Sequence, residues 1–145
     1  MPRLAPTDPA DAAAIEASLE IAAERGGDLS PQVYERLFAR QPEMRALFWR
    51  DTSGAIKGEM LAKVFEAILD FIGDRRYADN LIETEVVTHE GYDVPRTVFA
   101  TFFGIVEEVV RETCAADWTP AMGAAWQRTL ADLDHYVAQR GHQEA

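Results

Sequence analysis

The chain has 145 residues, 48% of them hydrophobic and 27% charged, with a net charge of −11. That length fits one domain with a core large enough to stand without disulfides or structural metal. The acidic balance and the scatter of Lys and Arg speak against nucleic acid or an anionic membrane as a partner, and no apolar run approaches the ~20 residues of a membrane span.

The opening MPRLAPTDPADAAA has no apolar h-region, so export is not expected. The single cysteine, Cys114, cannot form an internal disulfide and reads as a small apolar residue near a helix end. A cytoplasmic protein is the expectation.

Helix punctuation organises the chain. Pro9 follows Asp8, Pro31 follows Ser30 and Pro120 follows Thr119, each an N-cap type ahead of a proline suited to a first helical position. The first helix is predicted from about Pro9 to Arg25, with Gly26 and Gly27 stopping it. The second begins at Pro31, carries Val33, Tyr34, Leu37 and Phe38, and ends near Arg40, because the residue before Pro42 avoids the helical region. Pro42 opens a short turn through Leu47 and Phe48, and a polar loop runs from Trp49 to Gly54.

The next helix spans about Ala55 to Ile72. Its two apolar rows, Ile56, Met60, Val64, Ile68 and Leu61, Phe65, Leu69, Ile72, suggest cover on two sides. A weaker helix is expected from Tyr77 to Thr88, followed by the turn-rich His-Glu-Gly-Tyr-Asp-Val-Pro. Two long helices close the chain, about Pro95 to Cys114 and Pro120 to Gln139, with Leu130 on the apolar row of the second. Strand signals are nearly absent. The fold class is all-α, in one domain over 1–145 with 1–8 and 140–145 as tails.

Three histidines are present. His135 and His142 read as surface residues. His89 ends the weak helix, where a histidine alone is usually structural. Around it the chain supplies Phe38, Phe48, Met60, Phe99, Phe102 and Phe103, material for the apolar slot a planar cofactor needs, and His89 is the histidine placed to ligate an iron.

These residues resemble a bacterial single-domain globin over nearly the whole chain. VYERLFARQPEMRALF, EMLAKVFEAIL, THEGYDV and DWTPAMGAAW look like the family's second and third helices, distal helix, proximal corner and last helix, in that order. Tyr34 stands fourteen residues before Phe48, and Met60 stands 29 before His89, spacings the family shares. The resemblance implies about six to eight helices around a pocket for haem b, with His89 as the iron ligand. Phe38, Phe48, Met60, Leu61, Val94, Phe99, Phe102 and Leu130 would line the pocket, and Tyr34 would be a hydrogen-bond donor to the gas ligand. The family's distal His or Gln falls on Ile56 or Lys57, a departure. Phe99 takes the place of a tyrosine in a proximal relay found in some bacterial globins. Glu85, four residues before His89, stands where a large apolar residue is usual.

The implied function is reversible binding of O₂, NO or CO for storage, transport or sensing. An enzyme reading, nitric-oxide dioxygenation or nitrite reduction, would need a separate redox partner. A haem-free regulatory module is a third reading, against which His89 argues.

Overall fold

The computed structural model describes residues 5–48, 51, 53–76, 78, 80–82, 84, 85 and 96–144; for 96, 97, 99 and 139–144 it describes the backbone alone. Five α-helices are described: α1 (Pro9–Gly26), α2 (Ser30–Arg40), α3 (Ala55–Ile72), α4 (Arg96–Cys114) and α5 (Pro120–Glu144). Two 3-10 turns, Pro42–Phe48 and Ala115–Asp117, link them. Residues 78, 80–82, 84 and 85 are helical, and no strand occurs among the described residues. The all-α expectation is met.

Local chemistry sets most of the boundaries. Asp8 caps α1, its carboxylate accepting from the Ala10 N–H at 2.8 Å. Gly27 ends that helix at φ 60°, a conformation open to a residue without Cβ. Thr119 caps α5 by accepting from the Met122 N–H. That helix runs past Gln139 to Glu144.

The start of α2 differs from expectation. Ser30 is its first residue and not its cap. Asp28 accepts both the Ser30 N–H and the Ser30 hydroxyl, because a carboxylate two residues upstream is the stronger acceptor.

The core lies where α1 packs on α4 and α5, and α4 on α5 and α2. Trp126, Phe71, Ile15, Ile68, Ile105 and Leu133 are fully buried there. The Trp126 indole N–H donates to the Ser18 hydroxyl, which donates to the Ile15 carbonyl, so the deepest polar groups of α1 and α5 satisfy one another. Helix α3 buries Leu61, Ile68, Phe71 and Ile72 on one side, but Leu69 is 43% exposed, so its second apolar row is only partly covered. Beyond the core, a cleft opens between α2, α3 and α4.

Candidate functional site

Among the described residues, five segments wall the cleft. Helix α2 contributes Tyr34 and Leu37, and the turn after it Met44, Leu47 and Phe48. Helix α3 contributes Met60, Lys63, Val64 and Ala67, spaced as one helical stripe. Leu81, Ile82 and Glu85 form the next wall, and Val98, Phe102 and Phe103 of α4 the last. The empty space, open mouth included, is about 990 Å³. Lys63 and Glu85 are the charged residues of this wall, and Tyr34 is its hydroxyl.

Tyr34 is 2% exposed and sits among three rings, with centroids 5.5 Å to Phe48, 5.6 Å to Phe102 and 6.0 Å to Phe38. Its hydroxyl is buried with no hydrogen-bond partner among the described residues. Burial, and secondly the charge of Asp51, push this phenol well above its ordinary pKa, so it keeps its proton. Leaving such a group unpaired costs about 1–3 kcal/mol. The rest of the wall follows the native rule that buried polar atoms are paired. Among the described residues, the cleft is thus a wall of apolar side chains that includes one tyrosine with an unpaired hydroxyl.

The approach to the cleft is braced by Asp51. Its carboxylate accepts from the Ile56 N–H at 3.1 Å and the Lys57 N–H at 3.0 Å, and pairs with the Lys57 ammonium at 3.1 Å. Burial opposes the charge, but these hydrogen bonds and the ammonium hold the carboxyl below its usual range.

Of the residues singled out from the sequence, Tyr34, Phe48, Met60, Phe102 and Phe103 come together in the cleft wall. Phe38 stands behind them, packed on Tyr34 and Phe48 with the Arg45 guanidinium 4.8 Å above its ring. Ile56 is 48% exposed and Lys57 turns to Asp51, because both lie in the first turn of α3, ahead of the stripe that enters the cleft. Leu61 points into the core, about 100° around the helix from Met60. Leu130 packs half-buried against the core. His89 and Val94 lie outside the described residues, and Phe99 is placed by its backbone in α4.

Lys63, Ala67 and Leu47 were not anticipated as wall residues. Lys63 and Ala67 follow Met60 by three and seven positions, so helical spacing carried the signal once Met60 was taken as cleft-facing. Glu85 keeps its unusual place, in the wall where an apolar residue was expected.

Among the described residues, helices packed around an apolar cleft with one unpaired buried hydroxyl define the class: an all-α protein with an internal apolar cleft. The globin family model matches residues 31–137, most of the chain, and the chain belongs to the globin family. No curated protein matches it, and no solved structure does.

Proposed function

We propose that this globin holds haem b in the cleft and binds a diatomic gas there reversibly, for storage, transport or sensing. The observation that carries the reading is the unpaired, buried hydroxyl of Tyr34, a residue in the wall of an apolar cleft. Globins pack their helices around a haem pocket, and the walls described above suit that group. When bound, haem supplies an iron site that O₂, NO or CO can occupy.

The chain's own residues would divide the work. His89 would hold the iron, with Val94 and Phe99 beside it. Phe48, Met60, Val64 and Phe102 would support the ring and keep water out. Lys63, exposed in the cleft wall, would offer a cation to an acidic group of the porphyrin. Tyr34, kept neutral by burial, would donate to the gas ligand. Met60, Lys63, Val64 and Ala67, rather than Ile56 or Lys57, are the α3 residues in the cleft wall.

Absorption spectroscopy tests the cofactor. The protein is expected to show an intense Soret band that is lost in His89→Ala, and a protein that stays colourless after haem addition ends the proposal. For the donor, Tyr34→Phe is expected to raise the O₂ dissociation rate about tenfold to a hundredfold, the worth of a hydrogen bond of ~1–3 kcal/mol. An unchanged rate would mean that Tyr34 does not reach the ligand.

A further inference from the structure

Between Phe48 and α3 the structure holds a buried ion pair that the family reading does not use. Asp51 has a side chain 2% exposed, and its partner Lys57 one that is 23% exposed. The Asp51 N–H donates to the Phe48 carbonyl at 2.9 Å. Its carboxylate takes up the second and third N–H groups of α3, those of Ile56 and Lys57, while the first, of Ala55, goes to the Ser53 hydroxyl; the N-cap Gly54 provides no side-chain acceptor. The Lys57 ammonium lies 5.5 Å from the Phe48 ring centroid, and the Phe48 ring meets Tyr34 edge-on. One residue therefore links the turn carrying Phe48, the start of α3 and, through the Phe48 ring, the tyrosine of the cleft.

We propose that Asp51 is a positioning residue for the ligand side of the cleft: with Lys57 it fixes the Phe48 ring against Tyr34 and sets the electrostatic surroundings of the Tyr34 hydroxyl. This rests on the reading of Tyr34 as the donor to the ligand. A cap alone would need only the two backbone hydrogen bonds. The pair also sets a carboxylate and an ammonium beside the Phe48 ring that touches Tyr34, and the carboxylate opposes ionisation of the Tyr34 phenol. Among the described residues, the other charges around this space are Lys63 of α3, Glu85 of the next wall and Arg45 over Phe38, while α4 presents apolar side chains. The donor strength of Tyr34 is thus set by a balance, and the two members of the pair act on it with opposite signs.

The test uses that sign. The protein is prepared with fluorotyrosine, whose phenol is more acidic than tyrosine's, and the ionisation of residue 34 is followed by fluorine NMR. Tyr34→Phe identifies the signal among the four tyrosines. Asp51→Asn is expected to lower the ionisation midpoint by roughly half a unit to one unit, and Lys57→Met to titrate above Lys57→Arg, because a guanidinium keeps its charge across the range where a lysine and the phenol both lose a proton. A midpoint that stays put in Asp51→Asn, or no difference between Lys57→Met and Lys57→Arg, overturns the proposal, since a purely structural brace has no sign. If Asp51→Asn does not fold, the Met and Arg variants decide alone: a higher midpoint with Met supports the proposal, and an equal or lower one overturns it. The measurement needs no bound haem, so failure of the haem reading, judged by the Soret band, stays distinct from failure of this one.

Discussion

Tyr34 carries a stability cost that packing does not explain. A phenylalanine would fill the same space among Phe38, Phe48 and Phe102 without burying an unpaired hydroxyl. Tyr34→Phe is therefore expected to leave ligand-free stability unchanged or to raise it by about 1 kcal/mol, measured by urea denaturation. A loss larger than that would reveal a structural partner for the hydroxyl. Glu107 makes a second case. It is 3% exposed on α4, burial raises its carboxyl pKa, and its partner Arg111 is half in solvent. Its folded-state pKa lies above the unfolded one, so ionisation is unfavourable in the fold from the ordinary glutamate range upward and harmless below it. Glu107→Gln is expected to raise the Tm at pH 7, with the gain vanishing at low pH where both states are protonated. Cys114 sits at the end of α4 with its Sγ–H donating to the Ser18 carbonyl, and burial raises its thiol pKa, which suits the packing role read from the sequence.

Among elements, the helix starts show where short-range rules held and where they were overridden. The Asp8 and Thr119 caps formed as the proline pattern suggested. At α2 the cap moved from Ser30 to Asp28, and at α3 it came from Asp51, five and six residues ahead of the N–H groups it accepts. Local preference ranks acceptors, but a carboxylate brought close by the loop outranks a hydroxyl next to the helix. Asp28→Ala is accordingly expected to lower stability by about 1 kcal/mol, and Ser30→Ala by less, in equilibrium unfolding. The reverse order would restore Ser30 as the effective cap. In α3 the sequence supplied two apolar rows with nothing to rank them. Packing chose: Ile68, Phe71 and Ile72 went to the core, and Met60, Val64 and Ala67 to the cleft.

For the whole molecule, surface pairs tie distant helices together. Arg128 clamps Asp11 and so links α5 to α1, while Arg36 and Arg40 hold Glu108 and Glu112 across α2 and α4. Hydrogen bonds from these guanidinium groups lower the pKa of Asp11, Glu108 and Glu112 despite opposing desolvation. The sign follows: their contribution is complete above the unfolded carboxylate pKa of about 4 and is lost as pH falls through the lower folded values. Exposed pairs are individually weak, so the expected result is a gradual fall in Tm below about pH 4, shallower at high salt. A Tm that rises on acidification would mean that relief of the −11 charge outweighs the loss of the pairs.

The sequence by itself determined the helices, because periodicity, prolines and glycines act within a few residues of where they stand. It also placed Tyr34 and Phe48 on consecutive elements at a distance that lets their rings meet. Only the tertiary structure decided which stripe of α3 faces the cleft, that Ile56 and Lys57 stay out of it, and that Asp51 joins its two sides. Periodicity says which side chains share a face; it does not say what that face meets, since that is settled by segments far apart in the chain competing for the same space.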